Sequence, residues 1–290
     1  MALYAFDGTW NENQPGDAKD TNVVRFHDAY RGPKWYVEGP GTRAGFIGKI
    51  FGGLFGSGAR PRVKEACKEA ARNFAAGDKI IDIVGFSRGA ALALDFANAV
   101  TKDGVAGEKA PAIRFIGLWD VVPSFGLPGN EVNIGHTLTL PANAAKCFHA
   151  MALDERRGNF PVHRVVMAGA QRANCVSELW FRGVHSDVGG GNGNTGLSSI
   201  ALQWMFKRAV ACGLPIDPAA IDRAKQQVKP TAPISKNLDP IKFHDPFRQI
   251  AATDFVHFAV RFVEHANNPQ NGLKVMDDDG KMLALGFNMK

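Results

Sequence analysis

Along the first two thirds of the chain, short apolar runs alternate with stretches of helical periodicity, the pattern of strands joined by crossover helices in a parallel sheet. Leu3 to Phe6 predicts a first strand, which breaks at Asp7-Gly8-Thr9. A long polar connection then leads to a second at Trp35-Tyr36-Val37. After the Gly-rich stretch Gly39 to Gly58, Pro61 opens a helix whose apolar positions Val63, Cys67, Ala70 and Phe74 keep helical spacing, and Gly77 ends it. The continuous apolar run Ile80 to Val84 suits a central strand covered on both faces, with Ala90 to Val100 as the helix behind it. Ile113–Trp119, Arg164–Ala168 and Ser177–Val184 predict further strands, and Leu197–Ala211 a helix capped by Gly213. From Leu214 to Ser235 the chain is rich in Pro, Ala and Lys with weak periodicity, and beyond it only Thr253 to Glu264 is regular. The expected fold is α/β, a mostly parallel central sheet flanked by helices, with an irregular C-terminal quarter. The expected organisation is a single domain over 1–290, in which 214–290 forms a cap or an appendage.

Composition narrows the class rather than the function. With 45% hydrophobic and 21% charged residues the chain is an ordinary globular one. The net charge of +6 comes from scattered lysines and arginines, without the dense basic run of a nucleic-acid stripe, so no nucleic-acid partner is expected. It supports at most a weak attraction to anionic surfaces such as phospholipid head groups. Cys67, Cys147, Cys175 and Cys212 form no C-x-x-C pair and read as reduced thiols. The first residues carry no basic and apolar pattern of a signal peptide, and no window reaches the roughly 18 apolar residues of a membrane span. A cytoplasmic chain is therefore expected at synthesis.

The strongest chemical signal is Gly85-Phe86-Ser87-Arg88-Gly89, a G-x-S-x-G sequence between the strand Ile80–Val84 and the helix from Ala90. That strand–turn–helix setting is the one a nucleophile elbow requires, and it makes the expected fold α/β-hydrolase-like. The flanking glycines let the serine occupy a strained turn without side-chain collisions. The bland alternative is a serine in a Gly-punctuated tight turn. A serine hydroxyl needs a base, and the base an orienting acid. His185 opens the loop His185-Ser186-Asp187-Val188-Gly189-Gly190-Gly191 after a strand, whereas His136, His149, His163, His244, His257 and His265 have no comparable setting. Asp120 ends the strand Ile113–Trp119, with Asp154 and Asp187 as competitors; Asp154, in Leu153-Asp154-Glu155-Arg156-Arg157, reads more readily as part of a solvated charge cluster or a structural ion pair. The order Ser87, Asp120, His185 is that of α/β-hydrolases. Arg88 N–H at the helix start and an N–H of Gly8 or Thr9 are the expected oxyanion donors, with Asp7 bracing their loop.

Other chemistries find little support. Gly191-Asn192-Gly193-Asn194-Thr195-Gly196 matches G-x-G-x-x-G but lies late and apart from its strand, unlike a dinucleotide site. No phosphate-cradling G-x-x-x-x-G-K-[ST] and no zinc-ligand spacing occurs, so neither a cofactor nor a metal is expected. The apolar, nearly uncharged stretch Gly45 to Gly56 has the character of a lid or lipid-contact loop, or of a buried loop lining the core.

Together, Phe6-Asp7-Gly8-Thr9-Trp10-Asn11, Gly39-Pro40-Gly41-Thr42, Gly85 to Ala90, Trp119-Asp120-Val121-Val122, Ala152 to Arg156 and His185 to Gly191 resemble the α/β-hydrolase domain family that includes type VI secretion phospholipase effectors. Phe255 to Glu264 is similar too. The resemblance implies a Ser87–Asp120–His185 triad and cleavage of an acyl ester, a phospholipid one in the effectors. It implies a lipid or small-ester substrate and export by type VI secretion without a signal peptide. Gly41, Thr42, Phe46 and Phe51 are the candidate substrate-binding residues, and the apolar Gly45–Gly56 stretch is the expected site of any transient contact with a membrane surface. An immunity protein as partner follows only if the chain is a toxin. A soluble short-chain carboxylesterase and a catalytically inactive scaffold used for binding are the alternatives. Where the family has Gly-Val-Gly-Thr this chain has Gly39-Pro40-Gly41-Thr42, and its 290 residues are expected not to include the large extra membrane-docking parts of toxic effectors.

Overall fold

The structure, a computed structural model, describes residues 1–8, 19–39, 55–123, 137–158, 160–167, 175–236, 247–263 and 274–283, with backbone alone at 55–59. Among them, nine strands form one sheet in the order β2-β1-β3-β4-β5-β6-β7-β8-β9. These are β1 (Ala2–Phe6), β2 (Lys34–Val37), β3 (Ile80–Phe86), β4 (Ala112–Trp119), β5 (Cys147–Ala152), β6 (Val176–Phe181), β7 (Phe255–His257), β8 (Lys274–Met276) and β9 (Met282–Leu283). Every pairing is parallel except β8 with β9. The mostly parallel sheet flanked by helices is the α/β-hydrolase-like architecture that the sequence predicts.

Alternation along the strands sends successive side chains to opposite helix layers. Tyr4, Phe6, Ile81 and Ile83 pack against α2 (Phe55–Ala75) and α3 (Arg88–Asp103). Leu3, Ala5, Val84, Phe86 and Trp119 face the layer of α1 (Asn22–Ala29), α5 (Thr195–Ala211) and α6 (Pro218–Gln227). The register brings the carboxyl ends of the central strands to one edge, with Phe86 opposite Trp119, Trp119 opposite Ala150 and Ala152 opposite Phe181.

Several elements depart from the sequence-based expectation. Helix α2 begins before Pro61 rather than at it. Arg164–Met167 is an irregular segment with one bridge, Met167 to Leu140, while Ala168 lies outside the described residues. Arg164 is drawn out of a strand position by its fork on Asp254 (2.9 and 3.1 Å) and its bond to Glu178 (2.7 Å). The strand that does follow β4 is β5, whose six residues are all buried although His149 interrupts its apolar run. The supposed polar connection contains α1, capped by Thr21, whose hydroxyl accepts from Val24 N–H at 3.3 Å. Residues 214–236 contain α6, packed on α5, and β7 to β9 continue the sheet past β6. Among the described residues no helix is long and apolar enough to cross a membrane, and the four cysteines are unpaired thiols.

At the amino end of β3, Asp82 is fully buried and accepts from Tyr30 Oη (2.8 Å) and Arg114 Nε (2.9 Å). Asp82→Ala should leave a mostly buried guanidinium without its anion, and we expect a loss of roughly 3 kcal/mol. Urea unfolding that shifted by less than about 1 kcal/mol would contradict this electrostatic anchoring.

Candidate active site

Ser87 lies between β3 and α3 with φ of 58° and ψ of −128°, a conformation that costs a non-glycine residue about 1–3 kcal/mol. Its surroundings hold it there. Ser87 N–H donates to Trp119 O (3.0 Å), and Ser87 O accepts from Val122 N–H (3.3 Å). The glycines on either side have no room for a side chain. A Cβ on Gly85 would lie 2.6 Å from Ala90 Cα, and one on Gly89 would lie 2.3 Å from the carbonyl oxygens of Phe6 and Asp7. The G-x-S-x-G spacing is thus a packing requirement between the elbow, its own helix and β1. Arg88 is the first residue of α3, so its N–H belongs to the positive end of that helix.

Asp120 follows β4 in a left-handed conformation (φ 40°), which aspartate tolerates better than most residues. It is fully buried and accepts four hydrogen bonds. His185 Nδ1 donates to Oδ2 at 2.6 Å, and Ala152 N–H donates to Oδ1 at 2.9 Å. Arg248 donates from Nη1 to Oδ1 at 2.6 Å and from Nη2 to Oδ2 at 3.2 Å. Burial alone would push the Asp120 carboxyl up, but the Arg248 charge and the His185 contact outweigh it and hold it well below the usual carboxylate range. An ionised carboxylate only accepts, so the proton of a neutral His185 sits on Nδ1 and the lone pair on Nε2.

His185 begins the short helix α4 (His185–Gly189), beyond the carboxyl end of β6. Its ring lies between Phe86 (centroids 4.6 Å apart) and the edge of Phe160 (5.0 Å), and so is directly beside the residue preceding Ser87. Its backbone N–H donates to Glu155 Oε2 (3.1 Å), while Arg157 binds the same carboxylate through Nε and Nη2 (3.0 and 2.9 Å). Burial pulls the imidazole below its ordinary pKa, against the opposing pull of Asp120. No described residue occupies Nε2 with a hydrogen bond.

The two competing aspartates have other partners. Asp154 is buried and takes Arg182 Nη1 (2.9 Å) and Gly183 N–H (2.7 Å), a structural ion pair rather than a solvated cluster. Asp187 braces the histidine loop, accepting from Val184 N–H (3.2 Å), Ser235 N–H (2.9 Å) and Ser235 Oγ (2.6 Å). Asp7 braces its own loop, taking Thr21 Oγ1 and Tyr36 Oη, each at 2.7 Å, and Gly8 N–H at 2.6 Å. Gly8 N–H is therefore spent on Asp7 here. Thr9, Gly41, Thr42, Phe46 and Phe51, the rest of Gly45–Phe55, and His136, His244 and His265 lie outside the described residues or their described side chains. Among the described residues no group of His, Cys, Asp and Glu is arranged to hold a metal ion.

Sequence reasoning brought Ser87, Asp120 and His185 to one edge of the sheet and missed what surrounds them: Arg248, Glu155 and the rings of Phe86 and Phe160. It also passed over His149 and His257, both of which are carboxylate-paired. His149 Nδ1 meets Glu178 Oε1 at 2.9 Å, and His257 Nε2 meets Asp278 Oδ1 at 2.8 Å. In each, a backbone N–H fills the other nitrogen, from Val121 (3.2 Å) and Ala259 (3.2 Å) respectively.

A buried serine thus occupies a strained turn at the carboxyl edge of the sheet, and the ring of the residue before it packs on a histidine that is hydrogen-bonded to a buried, ionised acid. The sequence matches the family model of the type VI secretion phospholipase effector Tle1-like catalytic domain over residues 3–111 and 98–208. The chain belongs to that family. A crystal structure of an uncharacterized protein from Pseudomonas aeruginosa is 25% identical with a TM-score of 0.58, matching 79% of this chain and 48% of its own. A structure of the Tle1 effector bound to the VgrG spike of the type VI secretion system is 23% identical with a TM-score of 0.47, matching 66% of this chain and 50% of its own. The chain thus spans about half the length of these solved structures. No curated protein matches the sequence.

Only the neutral imidazole can accept a proton, and burial lowers the pH needed to keep it neutral. Phosphonylation of Ser87 by a fluorophosphonate should therefore rise with pH through a midpoint below the ordinary histidine value of about 6.5 and be level from about pH 7 to 8. A midpoint at or above that of an exposed histidine would refute the assignment of His185 as a buried neutral base.

Proposed function

We propose that this chain is a serine ester hydrolase that cleaves lipid esters, phospholipids foremost, through an acyl-enzyme. The single observation that carries this reading is the 2.6 Å bond between His185 Nδ1 and buried Asp120, at the sheet edge where the strained turn presents Ser87. The phospholipid class is supported by the family to which the chain belongs.

In the proposed mechanism, Ser87 Oγ attacks the ester carbonyl while its proton passes to His185 Nε2, and Asp120 stabilises the resulting imidazolium. Arg88 N–H receives the oxyanion at the start of α3, together with an N–H of Thr9 or, once released from Asp7, of Gly8. His185 then gives its proton to the departing alcohol, leaving the acyl group on Ser87. Water enters, loses a proton to His185 and displaces the acid, and the proton returns to Ser87. We assign the apolar Gly45–Gly56 stretch to contact with acyl chains at a membrane surface, with Gly41, Thr42, Phe46 and Phe51 in the substrate site. Type VI export without a signal peptide follows from the same family reading, as does an immunity partner if the chain acts as a toxin.

The test is hydrolysis of short p-nitrophenyl esters and of phospholipid vesicles by wild type, Ser87→Ala, Asp120→Asn and Asp154→Asn. Ser87→Ala should fold and lose at least about three orders of magnitude in kcat. Asp120→Asn should be severely impaired, whereas Asp154→Asn should chiefly lose stability. Serine-dependent fatty-acid release from vesicles supports the phospholipase. Turnover of short esters alone makes the chain a soluble carboxylesterase, and silence on both substrates makes it an inactive binding scaffold.

A further inference from the structure

The acid of the candidate triad is held from behind by a cation from a distant part of the chain. Arg248 stands 128 residues beyond Asp120 and outside the segment matched by the family model. Its side chain is 9% exposed and its two terminal nitrogens make four hydrogen bonds. Two go to the Asp120 carboxylate, at 2.6 and 3.2 Å. The others go to the carbonyls of Ala152 (2.8 Å) and Phe160 (2.7 Å). Ala152 also donates its N–H to Asp120, and the Phe160 ring abuts His185. One guanidinium therefore joins the acid, the strand end that supports it and the backbone of the residue whose ring flanks His185, a task for which its planar fork is suited and a lysine is not.

The charge has a second effect. A lone carboxylate beside an imidazole favours the imidazolium, whereas a carboxylate neutralised at contact distance favours it less. The other charged groups facing His185 are Glu155 and Arg157, which pair with each other; on its own helix, Asp187 is turned to Val184 and Ser235. Arg248 is the one cation bonded to the acid itself among the described residues.

We infer that Arg248 is a positioning residue of this site: it fixes the Asp120 carboxylate on His185 and sets the pH at which His185 serves as base. This rests on the serine-hydrolase reading above. The test compares wild type, Arg248→Lys and Arg248→Met by 1H NMR titration of His185, assigned against His185→Gln, and by the pH profile of kcat/KM on a p-nitrophenyl ester. Arg248→Met should raise the His185 midpoint by about one pH unit, carry the acid limb of the profile upward with it, and lower plateau kcat by at least about tenfold. Arg248→Lys keeps the charge but not the fork, so its midpoint should stay near wild type while kcat falls. A Met variant with unchanged midpoint and profile overturns the inference. If that variant does not fold, the Lys variant decides, and a plateau kcat within about twofold of wild type overturns it. Should wild type turn over no ester, that failure belongs to the hydrolase reading; the NMR titration still decides whether Arg248 governs His185.

Discussion

A carboxylate fully removed from water has to be compensated, and around Asp120 that requirement organises the carboxyl edge of the sheet. Its four acceptor contacts come from β5, from α4 and from the segment beginning at Phe247. The donors belong to three separate parts of the chain, so the end of β5, the start of α4 and the segment before β7 are held to the residue after β4 by a single charge. The Ser87 backbone is bonded to the residues flanking this acid, Trp119 before it and Val122 after it. The elbow and the acid are therefore set by the same backbone, and the distance between them does not depend on flexible side chains.

The legible part of the sequence was whatever depends on local spacing. The continuous run of β3, the two elbow glycines and the turn glycines Gly77 and Gly213 declare themselves within a few residues. What stayed hidden depends on distant partners. β5 was obscured because His149 sits inside it, and His149 is acceptable in a core only because Glu178 and Val121 lie across from it. Arg164–Met167 imitated a strand because valines dominate its middle, while the arginine that removes it from the sheet answers to Asp254, 90 residues on. Arg248 had no local signature, since it falls in the stretch between Ser235 and Thr253 where the sequence shows no regular pattern. The α1 helix was the exception, visible in principle from Thr21 before Val23, Val24 and Phe26.

Among the described residues, three buried histidines each face a carboxylate, and residue type alone would not separate them. His149 and His257 have both ring nitrogens engaged, one by the acid and one by a backbone N–H, and so tie strand to loop. His257 is further held face to face with Phe181 at 4.7 Å. His185 differs in position, standing at the carboxyl edge next to Phe86 with one nitrogen turned to its acid. Hydrogen-bond saturation, more than the presence of a His–carboxylate pair, distinguishes a structural histidine from one that can exchange a proton.

Arg248 also bears on where the working unit ends. The match to the family model stops at residue 208, and a boundary drawn there would enclose Ser87, Asp120 and His185 in full. It would cut away the counter-ion of Asp120 and the Ser235 that steadies Asp187 beside the base. A fragment so bounded keeps Ser87, Asp120 and His185 yet leaves the buried Asp120 carboxylate without its guanidinium partner. Electroneutrality, rather than the reach of sequence likeness, thus marks the shortest chain that can hold this site, and that chain extends at least to Arg248.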